Sequence, residues 1–320
     1  MTMVAEAQDD TAVDPRIYAT VEHLRQLGPE ARRISLLPNR QPAGSVLNGR
    51  HASRLRGRGL NFEELRAYVQ GDDVRTIDWK VTVRTGEPHV RVYTEERDRP
   101  TLLLVDQRTS MFFGSKVYMK SVIAAEAAAI AAHAVIAQGD RVGGVVFGDD
   151  ALSEHRPQRS RLALHRFLSS IARANAMLHA EKQAQTVLDL ESVLRAARKN
   201  VGSNALILVF SDFADVGSAC EAHIRALAKS NDLILFNVAD PFSEKLPDGL
   251  KMTVSDGVLQ AELNLADTTV KRRIETLGSE RLAEVFTWSR KYGFPIFPLT
   301  TDEQALNQIL HLMGHRGASR

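Results

Sequence analysis

The sequence predicts an α/β protein: a doubly wound, mostly parallel sheet with a small N-terminal helix/β-hairpin accessory unit. Three observations carry this. From Pro100 onward, short apolar runs alternate with helical segments. The runs Thr101–Val105, Arg141–Phe147, Ala205–Phe210 and Asp232–Val238 are nearly continuous in apolar residues, the pattern of strands covered on both faces. The segments between them are long enough for right-handed helical crossovers. Composition agrees with a globular chain: of 320 residues, 44% are hydrophobic and 25% charged.

Three regions follow in order. Residues 1–58 hold a short amphipathic helix around Ile17 to Leu27 and then a basic arm. From Glu30 to Glu63 the chain has no acid, yet it carries Arg32, Arg33, Arg40, Arg50, Arg54, Arg56 and Arg58. A solvated linker explains such a run, and so does a docking surface for an acidic partner. No aromatic residue is interleaved with these arginines, so a stacking platform for nucleic-acid bases is lacking. Residues 59–99 form the accessory unit. Its pattern predicts a helix over Phe62–Val69, a turn at Gly71-Asp72-Asp73, and two strands, Ile77–Arg84 and His89–Glu95, around the loop Thr85–Pro88. Trp79 and Tyr93 read as packing anchors of that hairpin. Asp72, Asp73, Asp78, Arg75 and Arg91 read as an ion-pair network pinning the unit to the sheet.

Residues 100–313 form the main domain. After the strand Thr101–Val105 comes an alanine-rich helix, Lys116–Gln138, then the strand Arg141–Phe147 and a weaker one at Ala151–His155. Helices are predicted at Ser160–Ala174, Asp189–Lys199, Gly217–Lys229, Thr268–Lys291 and Asp302–Met313, with a last strand at Phe294–Leu299. A hairpin is expected at Met252–Leu263, turning at Asp256-Gly257.

Several function classes drop out. Net charge is +2, from 41 basic against 39 acidic residues, so no global signature of nucleic-acid binding exists. A single cysteine, Cys220, leaves no disulfide framework and no cysteine-rich zinc module. No run of about 18 apolar residues is present for a membrane span, and the N-terminus lacks a signal-peptide pattern. The expected compartment is the cytoplasm. Gly-x-x-x-x-Gly-Lys-[Ser/Thr] and Gly-x-Ser-x-Gly are absent, and no His-x-x-x-His pair carries the Glu of a zinc site. His133, His165, His179 and His223 stand singly. Cys220 opens a helix, a position that lowers a thiol pKa, though a packing role is commoner.

Ligands of doubly wound sheets bind beyond the carboxyl ends of the strands. Two strands end there in suggestive residues. LLLVDQRTSMFFGS places Asp106 at a tip with Ser110 four residues on, and LILVFSDFAD places Ser211 and Asp212 at another. Hard oxygen donors of this kind suit Mg²⁺. Capping of free backbone N–H groups is the plainer use of the two aspartates.

A strand ending in Asp-x-Ser-x-Ser, with a second Asp after a later buried strand, resembles the metal-ion-dependent adhesion site of von Willebrand factor type A domains. Within that superfamily, Gly59–Tyr68, Gly71-Asp72-Asp73-Val74-Arg75-Thr76-Ile77-Asp78-Trp79 and Val90-Arg91-Val92-Tyr93 resemble the signature of the bacterial "domain of unknown function 58" family. The similarity runs over roughly residues 45 to 300. It implies a von Willebrand factor A-like fold and a metal set of Asp106, Ser110, Thr186 and Asp212. The usual glycines before Thr186 are missing. Arg108 stands where the motif has a hydroxyl, and a guanidinium offers a cation no lone pair. Turned inward, Arg108 occupies the metal position and pairs with Asp106 or Asp212. Turned outward, it leaves those oxygens to weak, water-mediated Mg²⁺. The expectation is a degenerate site with no cofactor or weakly held Mg²⁺.

The resemblance further implies a MoxR-type AAA+ ATPase partner and a client protein complex. The chain is thus expected to be a non-catalytic protein-binding adaptor. The alternative is a Mg²⁺-dependent phosphohydrolase using Asp106 and Asp212.

Overall fold

The structure is a computed structural model that describes residues 13–32, 34, 60–69, 72, 74–95, 99–180, 188–244, 251–255, 260–264 and 282–312. The chain divides into two compact units, one of residues 1–38 with 99–320 and one of residues 39–98.

The larger unit is built on a six-stranded sheet. Its strands, in spatial order, are β10 (Ile296–Thr300), β7 (Asp232–Ala239), β6 (Leu206–Ser211), β3 (Pro100–Asp106), β4 (Arg141–Phe147) and β5 (Leu152–Gln158). All neighbours are parallel except β5, which runs antiparallel to β4 at one edge. Alternate residues along each inner strand feed two separate cores. Leu103, Val105, Leu208 and Phe210 pack on one face with α4 (Lys120–Ala137), α5 (Arg161–Ala176) and α10 (Ala305–Leu312). Leu102, Leu104, Ile207 and Val209 pack on the other with α6 (Leu190–Asn200), α7 (Ser218–Ser230) and α9 (residues 282–292). Two buried faces are why these strands read as unbroken apolar runs. The doubly wound prediction therefore holds. The basic arm beyond Arg32, the turn at 256–257 and most of the predicted helix at 268–291 lie outside the described residues; β8 (Lys251–Ser255) and β9 (Gln260–Asn264) pair as expected.

α4 is buried nearly all round, its alanines allowing close approach of neighbouring elements. By length and composition it could cross a membrane, and 78% of its apolar window is buried inside this fold. The N-terminal segment is bolted onto it. Thr20 caps α1 (Val21–Gln26) through the amide of His23, and α2 (Gly28–Ala31) follows. Leu24, Ala31 and Ile34 enter the core. The amide of Ala19 donates to Asn175 at 2.7 Å, and His23 Nε2 meets the buried Glu126 carboxylate at 2.6 Å. The bond to Glu126 raises the His23 pKa above its ordinary 6.5, against the opposing effect of burial. The contact is complete below that value and is lost as pH rises through the higher, folded-state pKa. Amide exchange of residues 21–31, corrected for intrinsic rate, should therefore quicken from neutral toward alkaline pH. His23→Gln should abolish that dependence; an unchanged profile in the variant would show that the pair does not hold the segment.

The smaller unit reverses two expectations. Phe62–Val69 is not a helix: β1 (Leu60–Ala67) pairs antiparallel with β2 (His89–Glu95), with an irregularity between Phe62 and Glu64. Pairing with a distant strand outweighs the local helical spacing. Ile77–Arg84 is not a strand: α3 (Trp79–Thr85) is helical. Asp78 Oδ1 accepts from the amides of Lys80 and Val81 at 3.0 and 3.3 Å, and Gly86 closes the helix at φ +78°. Those two caps outweigh the modest helix penalty of Val81 and Val83. The loop read as a hairpin turn is therefore a helix C-cap, and β2 finds its partner in β1.

Trp79 is 65% exposed, so it is no packing anchor. Asp72 serves this unit internally, bound by both terminal nitrogens of Arg66 at 2.8 Å and by the amide of Val69. Asp73 and the side chains of Arg91 and Tyr93 lie outside the described residues.

Candidate functional site

β3 and β6 are parallel neighbours, with Val105 opposite Phe210, so their carboxyl ends meet at one edge of the sheet. Asp106 is fully buried there. Its Oδ1 accepts from the Arg108 amide at 3.1 Å and from Arg108 Nε at 3.0 Å. Its Oδ2 accepts from Arg108 Nη2 at 2.7 Å and from Ser211 Oγ at 2.6 Å. The remaining guanidinium nitrogen, Nη1, donates to Asp215 Oδ2 at 2.5 Å and to the Leu188 carbonyl at 3.3 Å. The Phe147 ring centroid lies 5.3 Å from the guanidinium carbon, a cation–π distance. Beside this group, Lys120 at the start of α4 donates to Asp212 Oδ2 at 2.6 Å, and Asp212 Oδ1 accepts the Ala214 amide.

The site is thus a knot of two cations and three carboxylates, with Asp215 at its exposed rim. Burial pushes the Asp106 carboxyl above its usual range, outweighing the pull of Arg108, and neighbouring Asp212 pushes the same way. Burial also works against the Asp212 charge, but Lys120, then Arg108, outweigh it and hold that carboxyl below its usual range. For Arg108, burial opposes the charge while Asp106 and Asp215 overcome it, so the guanidinium stays ionised.

The structure brings Asp106 and Asp212 together, as the motif demands, and turns Arg108 inward. Ser110 is exposed, on the turn Thr109–Met111. Thr186 lies outside the described residues. The donor set does not fit a divalent cation: both Asp106 oxygens are held bidentately by a guanidinium, and Asp212 is held by an ammonium. Among the described residues, no group of three or more His, Cys, Asp and Glu side chains is placed to hold a metal. Two members of the knot, Lys120 and Asp215, escape motif reading. Asp215 was visible as the second acid of Ser211-Asp212-Phe213-Ala214-Asp215; Lys120 had no sequence signal beyond a charge at the head of an apolar helix.

Two neighbouring carboxylates do similar structural work. Asp149 accepts the Thr109 amide and hydroxyl, fixing the turn after β3. Asp240, after β7, accepts from Ser115, Thr301 and the Phe242 amide. Cys220 is buried, and burial pushes its thiol up, which opposes nucleophilic use.

The profile of the family described as "Protein of unknown function DUF58" matches residues 64–283. The chain belongs to the DUF58 family. Uncharacterized protein Mb1516 of Mycobacterium bovis and uncharacterized protein Rv1480 of Mycobacterium tuberculosis are each 30% identical to this DUF58 chain over 292 residues, 89% of either sequence. Among solved structures, the conserved hypothetical protein BatB from Bacteroides thetaiotaomicron aligns with 68% of the chain and all of its own, at a TM-score of 0.40 and 12% identity.

Proposed function

We propose that this DUF58 chain is a non-catalytic protein-binding adaptor in which a degenerate von Willebrand factor A-like adhesion site is closed by the chain's own cations. The observation that supports it is the pairing of Arg108 with Asp106 and of Lys120 with Asp212. Cations held in the fold replace a bound metal, so the tip stiffens the sheet edge instead of bridging to a ligand. The carboxylates that a phosphohydrolase would use are already spent on these pairs. The family resemblance supplies the partners in this proposal: a MoxR-type AAA+ ATPase and a client complex, met in the cytoplasm.

Binding then needs another surface, and α3 offers one. Trp79 and Val83, four residues apart on one helix face, are 65% and 83% exposed. Lys80 and Arg84 flank them, also exposed. Exposed tryptophan beside cations is the composition of an interface hot spot. Trp79→Ala should change folding stability by less than about 0.5 kcal/mol. It should weaken binding to a purified MoxR-type AAA+ ATPase of the same genome by about 2 kcal/mol. Biolayer interferometry and thermal melts check both. Unchanged affinity with an unchanged melt would remove this face from the proposal, and no binding by the unmodified chain would overturn the partnership.

A further inference from the structure

Between α4 and α5, with α1 and α2 beside them, lies a half-open cavity of about 660 Å³. Its ionisable lining is entirely basic among the described residues: three arginines, Arg25, Arg32 and Arg161, with the imidazoles of His133 and His165. These come from four separate elements and converge on one space, whereas a solvated charge stripe would run along a single helix. The floor is apolar, formed by Ile136, Leu164 and Leu168. His133 is held beneath α2: its Nε2 lies 3.1 Å from the Leu24 carbonyl, and a Cβ on Gly28 would come within 3.1 Å of its ring. Glycine at position 28 thus lets the helix sit directly on the imidazole. Burial, and after it Arg32, keep the His133 pKa below its ordinary value despite the Leu24 contact, so at neutral pH the ring is an uncharged flat surface. Arg25 also pairs with Glu22 at 3.0 Å on the surface.

We propose that this cavity binds an organic phosphate of nucleotide size, with the phosphates held by the arginine rim and a flat apolar body resting on the Ile136, Leu164 and Leu168 floor. Guanidinium groups bind phosphate oxygens in forked pairs, the geometry for which arginine is suited. The volume falls within the roughly 300–1,000 Å³ of small-molecule sites. A small polyanion matches convergent cations better than an extended acidic peptide, which needs them spread along a groove. The inference does not depend on the adaptor function: it concerns another part of the fold and other residues.

The test is titration of the full-length protein with mant-ADP in magnesium-free buffer, followed by fluorescence and calorimetry. Saturable binding below millimolar concentration is expected. Arg161→Ala, at an exposed position, should weaken it about tenfold or more, the loss of one charge-assisted contact. Ala137→Phe should weaken it comparably by filling the cavity without touching a charge. Melting curves confirm that both variants fold. Absence of saturable binding at millimolar probe, or binding indifferent to both substitutions, overturns the proposal. So does inorganic pyrophosphate binding as tightly as mant-ADP, which would leave the apolar floor without a role. Arg161-dependent binding of hexaglutamate in place of mant-ADP would overturn it in favour of protein docking.

Discussion

Arg108→Ser should destabilise the protein by about 3–5 kcal/mol, because it strands the buried Asp106 carboxylate without its cation. Arg108 and Asp106 side chains are 4% and 0% exposed, so little solvent screening softens the loss. Asp106 would keep only Ser211 and a backbone amide as donors. Already pushed up by burial, its carboxyl should then take a proton well above the usual 3.8. The sign follows: a carboxyl with a raised folded-state pKa costs stability increasingly as pH rises above its unfolded value. The deficit of the variant should therefore shrink in acid and be greatest near neutrality. Mg²⁺ supplies a second readout. In the variant, a guanidinium is replaced by an oxygen donor beside Asp106, so millimolar Mg²⁺ should restore part of the melting temperature. The unmodified protein should gain none. Tight Mg²⁺ binding by the unmodified protein in calorimetry would show that Arg108 yields its place, and the cation-closed site would be wrong.

What the sequence made legible follows from how each element is stabilised. β3, β4, β6 and β7 are buried on both faces, so their identity is written in local hydrophobicity, and β4 runs over the predicted residues Arg141–Phe147. The tips of β3 and β6 were equally legible, since a carboxylate after a buried strand stands out against its neighbours. α3 and β1 were not. Val81 and Val83 look like strand residues, and only the Asp78 cap and the Gly86 terminator, read together, reveal the helix. β1 carries helical spacing, and its state is decided by pairing with β2 more than twenty residues away. Arg108 was legible as a departure from a motif, with Asp106 as one of its two expected partners, but its other two partners were not. Asp215 and the Leu188 carbonyl reach it from chain 107 and 80 residues distant, and such convergence belongs to the fold.

Phe167→Ala should cost a further instance of the largest class of loss, about 3–5 kcal/mol. Phe167 is 1% exposed and lies over β4 at a strand that carries no side chain to meet it. A Cβ on Gly144 would fall 2.6 Å from Phe167 Cε2 and 2.3 Å from the Leu103 carbonyl oxygen. Gly144 of RVGGVVF is therefore a seat for the α5 aromatic ring, a use of strand glycine where another group approaches the backbone closely, while a Cβ on Gly143 would meet the β5 backbone instead. His155, on β5, packs edge-on against the same ring at 5.5 Å between centroids. Removing the ring empties that seat, and the bare strand has nothing to collapse into it. Gly144→Ala attacks the same contact from the other side, with overpacking of about 1–3 kcal/mol. The double variant separates the causes. Phe167→Ala removes one of the two clashes of Gly144→Ala and leaves the Leu103 carbonyl, which is backbone of the neighbouring strand and cannot turn aside. Urea unfolding of the double variant should thus recover part of the Gly144→Ala loss, and a negative coupling energy should appear. Strict additivity of the two losses would mean that ring and glycine do not share the contact. The α5 seat would then rest on its other buried residues, Leu164, Leu168, Ile171, Ala172 and Asn175.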